Sequence, residues 1–125
     1  MNCSKLSMAG CPSSEVLDNK KKNLTALDPK TGKQGGCYSP CLKLTDDKWN
    51  STAAVAPDST AAGQYCCAGA WGQPDTCNAG SILTTNYLKA VKDACPAAYG
   101  YAYDDKIATI VCTTSTEYKV TFYCL

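Results

Sequence analysis

The pattern of apolar and polar residues predicts one clear helix, over residues 84–95. Apolar residues recur there at helical spacing, and Pro96 follows at once and ends the helix. Thr84 or Thr85 can cap its N-terminus. The predicted buried face consists of Tyr87, Leu88, Val91, Ala94 and Cys95. The two lysines predicted to point outward are Lys89 and Lys92.

The C-terminal end of the chain predicts two strands. Residues 107–113 are β-branched and apolar, and residues 117–124 alternate between apolar and polar side chains. Thr114-Ser115-Thr116 lies between them and suits a hairpin turn. Because a lone hairpin is unstable in water, these strands must join a larger sheet. We therefore expect a loop and helix region over residues 1–105 and a C-terminal hairpin over 106–125, within one compact unit.

The rest of the chain predicts little regular structure. Residues 1–41 are polar and rich in turn-forming residues, so we expect loops with a short strand pair. The basic run of residues 20–22 is interpreted as a solvated turn. Residues 45–63 are rich in Ser, Thr, Ala, Asp and Pro, which predicts a surface loop between Cys41 and Cys66.

Cysteine content changes this picture most. The chain has 125 residues and ten cysteines, which is a disulfide-scaffold density, and the even count suits complete pairing. Disulfides persist in oxidising compartments, so we expect a secreted, extracellular protein whose cysteines are structural. They are Cys3, Cys11, Cys37, Cys41, Cys66, Cys67, Cys77, Cys95, Cys112 and Cys124.

Two further features of the sequence concern secretion and processing: its glycosylation sequons and its first ten residues. Three N-x-S/T sequons make Asn23, Asn50 and Asn2 candidate glycosylation sites, with Asn2 the least credible because a disulfide at Cys3 would compete with its modification. Residues 1–10 contain no apolar stretch of a secretion signal, so we expect a mature form, a recombinant form or a fragment.

Composition excludes several classes of function. The chain has no histidine, which removes Ser-His-Asp and Cys-His catalysis and the commonest zinc ligand. A four-cysteine zinc site would need two closely spaced cysteine pairs, and only Cys37-x-x-x-Cys41 fits. The sequence implies no metal and no cofactor. A net charge of +1 argues against nucleic acid as a partner, and no apolar run is long enough to span a membrane.

Local sequences around the cysteines resemble the C-terminal part of the thaumatin-like proteins. Tyr65-Cys66-Cys67 precedes the predicted helix, and the run from Cys95-Pro96 to Asp104-Asp105 follows it. The family shows Y-C-C, a helix, C-P-D-A-Y-S-Y-x-x-D-D and then N-Y-x-V-x-F-C, to which residues 118–124 are similar. The spacings Cys3-x₇-Cys11 and Cys37-x-x-x-Cys41 also match, so the resemblance covers nearly the whole chain.

The sequence departs from the plant members in four places. The intervals Cys11–Cys37 and Cys41–Cys66 are longer, Ala97 replaces an Asp, and Tyr123 is an extra residue before the last cysteine. These departures indicate a divergent branch, such as a fungal or an invertebrate one.

The resemblance implies a fold and a disulfide pattern. It implies a disulfide-rich, mainly β fold with one short helix: the family's stapled domain plus the C-terminal strands of its β-sandwich. The implied bridges are Cys3–Cys95, Cys11–Cys37, Cys41–Cys66 and Cys67–Cys77. Cys112 and Cys124 correspond to cysteines whose family partners precede this sequence. Either an N-terminal portion is absent, or this is a short form in which Cys112 and Cys124 pair.

The resemblance also implies a candidate sugar-binding site. Many family members bind β-1,3-glucan in an acidic cleft, and Asp104, with Asp105 as the near alternative, matches one of its five charged positions. A glycosidase needs two carboxylates across the scissile bond, and sequence neighbours in an extended segment point to opposite sides. For the isolated chain, a solvated turn before a strand is the favoured interpretation of Asp104-Asp105. The cleft interpretation is favoured once the missing half is restored.

Aromatic residues supply further candidates for sugar contacts. Tyr103 and Trp71 join Asp104 and Asp105 as predicted carbohydrate-binding residues. The other aromatic candidates are Trp49, Tyr99 and Tyr101. The three tyrosines alternate, so they share one face if the segment is extended, although packing against a loop suits them equally well.

Three functions follow from these observations. The first is a secreted, antifungal, pathogenesis-related glycoprotein of host defence that binds β-1,3-glucan of cell walls. The second is a weak endo-β-1,3-glucanase with Asp104 as its catalytic residue. The third is a protein-interaction module, a hydrolase inhibitor or an effector, that binds a secreted protein through the loop of residues 45–63.

Overall fold

The computed structural model describes residues 3–51, 54–109, 111–117, 119 and 121. Its regular elements are short, and within this part of the chain they are four strands, five α-helices and three 3₁₀ helices. The strands are β1 (Glu15–Leu17), β2 (Lys20–Lys22), β3 (Thr25–Leu27) and β4 (Gln34–Cys37). The helices are α1 (Pro40–Thr45), α2 (Gly63–Cys66), α3 (Pro74–Cys77), α4 (Asn86–Ala94) and α5 (Asp105–Ala108).

Two antiparallel hairpins form the first part of the chain, where one strand pair was expected. β1 pairs with β2 and β3 pairs with β4. The first hairpin turns at Asp18 and Asn19, both at positive φ, a conformation that Asp and Asn tolerate. The predicted turn at residues 20–22 is therefore wrong, because these lysines form β2. Lys20 and Lys21 are nonetheless exposed, as a solvated run should be.

The main core lies between the hairpins and helices α1 and α2. Strands and helices too short to stand alone are stabilised here by burying their apolar side chains together. The core residues are Leu17, Leu24, Ala26, Tyr38, Leu44, Ala62 and Tyr65. The Tyr65 hydroxyl also accepts a hydrogen bond from the Asp18 N–H at 3.3 Å, which ties α2 to the turn of the first hairpin.

Four disulfides join distant parts of this framework. They are Cys3–Cys95, Cys11–Cys37, Cys41–Cys66 and Cys67–Cys77, which confirms the pairing implied by the resemblance. The Cys41–Cys66 bridge holds both ends of the irregular segment after α1, as expected. Cys112 is exposed and is not bonded to another described cysteine. Cys124 lies outside the described residues, so a Cys112–Cys124 bridge stays a prediction.

Helix α4 confirms the helix predicted from the sequence. Thr85 is its N-cap, and the Thr85 side chain accepts a hydrogen bond from the Leu88 N–H at 3.1 Å. Leu88 and Cys95 are buried, as the pattern predicts, and Lys89 is exposed. Lys92 was predicted to point outward, and this is wrong: it forms an ion pair with Asp104, described below.

Glu15 supplies a second cap for α4 from across the fold. Its carboxylate is 3% exposed and accepts hydrogen bonds from the Tyr87 N–H at 2.8 Å and the Asn86 side-chain amide at 3.3 Å. Backbone N–H groups in the first helical turn lack partners within the helix, and the helix dipole favours an anion there. The carboxylate therefore ties β1 to α4.

Replacing Glu15 by glutamine is expected to lower the free energy of unfolding by about 1–2 kcal/mol, because a charged acceptor becomes a neutral one. Urea denaturation followed by circular dichroism measures this loss. Val16→Ala is the matched control, since Val16 lies in the same strand but is 54% exposed. A loss no greater than that of the control would contradict the capping role.

The side chain of Asn50 forms hydrogen bonds with the backbone of β3, as a neighbouring strand would. Its side-chain oxygen accepts from the Leu27 N–H at 3.0 Å, and its side-chain nitrogen donates to the Thr25 carbonyl at 2.8 Å. An amide side chain carries the same donor and acceptor as a peptide group, so it satisfies this strand edge. A glycan would attach to that side-chain nitrogen, which is hydrogen-bonded to β3. Of Asn23 and Asn50, the exposed Asn23 is therefore the better candidate for glycosylation.

Asn50→Ala is expected to cost about 2 kcal/mol of unfolding free energy, because two backbone groups of β3 lose their partner. The control is Asn23→Ala, since the Asn23 side chain is exposed and accepts only a local hydrogen bond, from the Thr25 N–H at 2.8 Å. Thermal denaturation of both variants tests the comparison. Equal losses would mean that the Asn50 amide is not what holds this edge.

The C-terminal prediction is corrected at its start. Ile107 and Ala108 belong to α5, so the strand predicted from Ile107 does not form there. The Thr116 N–H donates to the Thr113 carbonyl at 3.1 Å, so a turn is present at the expected place. Residues 110, 118, 120 and 122–125 lie outside the described residues, so the part of the predicted hairpin (106–125) that follows α5 stays a prediction.

Candidate functional site

A shallow groove of about 310 Å³ lies between the turn after α3 and the start of α5, and we call it the Asp104 groove. Six residues with apolar, aromatic, amide and charged side chains line it. They are Asn78, Leu83, Tyr101, Tyr103, Asp104 and Lys106. Two predicted carbohydrate-binding residues, Asp104 and Tyr103, are thus brought together.

Asp104 is the best-anchored residue of the groove. It is 3% exposed, and one carboxylate oxygen forms an ion pair with the Lys92 ammonium and accepts from the Gly100 N–H at 2.9 Å. The Lys92 ammonium also donates to the Ala98 carbonyl at 2.6 Å. The interpretation of Asp104 as part of a solvated turn before a strand is therefore wrong, because the residue is buried and a helix follows.

Gly100 makes this arrangement possible by its lack of a side chain. A Cβ there would lie 2.2 Å from Leu88 Cδ1, far inside van der Waals contact. The backbone can therefore approach α4 closely enough for the Gly100 N–H to reach the Asp104 carboxylate. The packing role of this glycine depends on Leu88, which lies in α4 and not in the same segment.

The three tyrosines of the predicted extended segment point to different partners. The Tyr99 hydroxyl donates to the Asp105 carboxylate at 2.6 Å, Tyr101 donates to the Asn78 side-chain oxygen at 2.7 Å, and Tyr103 donates to the Gly72 carbonyl at 2.8 Å. The segment turns instead of extending, so the common face expected for all three does not form. Tyr101 and Tyr103 still share the groove.

Tyr101 keeps its proton at ordinary pH. Burial, assisted by the nearby carboxylates of Asp104 and Asp105, raises the pKa of the Tyr101 hydroxyl above its ordinary value. The groove therefore presents a neutral phenol beside the buried carboxylate and the exposed Lys106. Such a mixture of hydrogen-bonding groups and aromatic surface suits a neutral, hydroxyl-rich ligand.

Two predicted site residues do not line the groove. Asp105 is exposed and accepts from the Tyr99 hydroxyl, whereas Asp104 binds Lys92 and Gly100. Trp71 is half-buried and its indole lies against Gly63 and Gly80, where a Cβ would be 3.2 Å and 3.5 Å from ring atoms. Trp71 therefore packs within the fold, and its role in sugar binding stays a prediction.

The sequence did not predict Lys92, Asn78 or Lys106 as residues of the site. Lys92 follows the helical surface pattern, and nothing in the sequence indicates that it reaches Asp104.

In the described part of the chain, no three Cys, Asp or Glu side chains are grouped as a metal site requires. None of its helices is long and apolar enough to cross a membrane.

Comparison with known proteins identifies the family. The family model described as "Thaumatin family" matches residues 1–124. The chain belongs to the thaumatin family. With the four disulfides and the antiparallel strand pairs, this match confirms the thaumatin-like, disulfide-rich fold class. The described residues add four helices of four to six residues to the one expected.

Three curated relatives of this thaumatin-family chain are plant proteins. It is 40% identical over 87 residues to thaumatin-like protein 1 of Pyrus pyrifolia, covering 70% of this chain and 27% of the relative. It is 37% identical over 97 residues to pathogenesis-related protein 5 of Arabidopsis thaliana, covering 72% and 38%. It is 34% identical over 107 residues to a protein of Prunus avium named glucan endo-1,3-beta-glucosidase, covering 80% and 35%.

These matches leave most of each relative uncovered. The chain spans about a quarter to two-fifths of the length of the curated relatives it matches. No solved structure matches it significantly.

Proposed function

We propose that this thaumatin-family chain is secreted and binds β-1,3-glucan of cell walls, in a host-defence, antifungal role. The observation that carries the proposal is the Asp104 groove, which combines two tyrosines, an amide, a carboxylate and an ammonium. A sugar chain can pack on the tyrosine rings and accept a hydrogen bond from the exposed Lys106 ammonium, while the buried Asp104 carboxylate, paired with Lys92, holds the backbone of the groove. The relative named for a β-1,3-glucan substrate supports this choice of sugar.

Secretion is supported by the disulfides. Four bridges within 125 residues persist in an oxidising compartment and are rare in the cytosol. The relative named pathogenesis-related protein 5 supports a role in defence. The proposed partner is therefore an insoluble polysaccharide outside the cell.

The test is co-sedimentation of the purified chain with insoluble β-1,3-glucan. We expect the parent to sediment with the glucan and a markedly smaller fraction of Tyr101→Ala and Lys106→Met to do so. Lys89→Met is the matched control, because Lys89 is an exposed helical lysine outside the groove. A parent that stays in the supernatant, or groove variants that sediment as the parent does, would contradict the proposal.

A second candidate is weak endo-β-1,3-glucanase activity, favoured by the name of the Prunus avium relative. Such hydrolysis needs two carboxylates roughly 5–10 Å apart across the bond. Among the described residues that line the groove, Asp104 is the one carboxylate, so a partner acid would have to come from elsewhere. Release of reducing ends from laminarin, lost on Asp104→Asn in a folded variant, would support hydrolysis, and no release would exclude it.

A further inference from the structure

Trp49 lies exposed on a second groove, formed by β3, β4 and the segment after α1. The groove has a volume of about 250 Å³, and Trp49 is 50% exposed. Its lining includes Leu42, itself 52% exposed, and the charged residues Asp46 and Lys48. We call Trp49, Leu42, Asp46 and Lys48 the Trp49 platform. None of these residues lines the Asp104 groove.

The indole of Trp49 is held in place by contact with the backbone of β4. A Cβ at Gly35 would lie 2.7 Å and 2.8 Å from the Cζ3 and Cη2 atoms of Trp49, so the ring rests directly on this glycine. Trp49 itself has φ +55°, a left-handed conformation that costs energy for a bulky residue. The chain therefore places a large aromatic side chain at the surface against its backbone preference.

Hydrogen bonds fix the segment on both sides of Trp49. The Lys48 carbonyl accepts from the Tyr38 hydroxyl at 2.7 Å and from the Ser51 N–H at 3.0 Å. The Lys48 N–H donates to the Asp46 carboxylate at 3.2 Å. The neighbouring Asn50 is bound to β3, as described above. The exposed ring is thus pre-organised, which reduces the entropy that a ligand must overcome on binding.

From this arrangement we propose that the Trp49 platform is a second sugar-binding site, for a neutral chain of β-linked glucose. The flat C–H face of such a sugar packs on an exposed indole, and its hydroxyls can donate to Asp46 and accept from Lys48. The adjacent charges of opposite sign disfavour a strongly charged ligand. Ring stacking does not depend on the linkage, so the platform accepts both β-1,3 and β-1,4 chains.

The inference is independent of the Asp104 groove and is tested by titrating the chain with laminarihexaose and cellohexaose in a calorimeter. We expect Trp49→Ala to weaken cellohexaose binding at least tenfold and to remove one of two laminarihexaose sites, the other being the Asp104 groove. Trp49→Phe should retain part of the affinity. Gly35→Ala should also weaken binding, because its Cβ displaces the indole. Gly10→Ala is the matched control, since its Cβ would meet nothing within 4 Å and Gly10 does not line this groove.

The outcomes separate the two sites. Unchanged affinity in Trp49→Ala, or no binding of either hexasaccharide by the parent, would overturn the platform. Loss of glucan co-sedimentation in Tyr101→Ala with unchanged hexasaccharide binding in Trp49→Ala would leave the Asp104 groove as the binding site. Loss of hexasaccharide binding in Trp49→Ala, with glucan co-sedimentation unchanged in Tyr101→Ala, would reject the Asp104 groove and retain the platform. Thermal denaturation of each variant checks that the fold is intact.

Discussion

Removing the Cys3–Cys95 disulfide by replacing both cysteines with serine is expected to lower the free energy of unfolding by roughly 4–5 kcal/mol. The two residues are 92 positions apart, so the bridge closes most of the described chain into one loop. A longer loop loses more conformational entropy in the unfolded state when it is closed. In the folded state the same bond attaches the N-terminal segment to the end of α4.

The loss of unfolding free energy on removing the Cys67–Cys77 bridge is compared with this value, because that bridge closes a much shorter loop. Its cysteines are 10 positions apart, so the loop model predicts a smaller loss, roughly 3 kcal/mol. Cys77 and Cys95 are both 0% exposed, so the serines at these two positions are equally buried in the two variants. Urea denaturation of both double variants gives the difference. Equal losses would show that loop length does not govern the contribution of these bridges.

Breaking the Lys92–Asp104 ion pair is expected to have the next largest effect. Lys92→Met leaves the carboxylate of Asp104, which is 3% exposed, without its cation, and we expect a loss of roughly 3 kcal/mol or more. Asp104→Asn should cost less, because the asparagine oxygen can still accept from the Gly100 N–H. The double variant should be more stable than the sum of the two losses predicts, since it leaves neither an unpaired carboxylate nor an unpaired ammonium.

Urea denaturation of the parent, the two single variants and the double variant measures this coupling. Lys89→Met is again the matched control, because Lys89 and its partner Asp93 are 72% and 64% exposed and such surface pairs contribute little. Additive losses would contradict the ion pair. The result also bears on function: a loss of glucan binding or hydrolysis in Asp104→Asn carries meaning only after the stability of that variant is known.

Local sequence determined those features whose physical cause is also local. The spacing of Leu88 and Cys95, the Thr85 cap and Pro96 fix α4 within one segment, and the structure confirms it. The four disulfides followed from motif similarity to a known family, because spacing alone leaves the pairing open. Asp104 was predicted in the same way, through the motif that follows Cys95, whereas Tyr103 was predicted as an aromatic residue able to contact a sugar.

Tertiary structure decided the features that depend on partners remote in the chain. Glu15 caps a helix whose first residues are more than 70 positions away. Asn50 looks like a glycosylation site in the sequence, but its amide completes the edge of β3. Periodicity placed Lys92 on the solvent side of α4, whereas the turn after Cys95 brings the Asp104 carboxylate to it.

The physical reason is the range of the interactions. Helix caps and apolar periodicity act over a few residues, so one segment contains all the information. A buried charge or an exposed aromatic ring is stabilised by groups that only the folded chain brings near. Asp104 is therefore held by Lys92 and Gly100, and Trp49 is held by its contact with Gly35 and by the hydrogen bond from Tyr38 to the preceding carbonyl, which the sequence alone does not reveal.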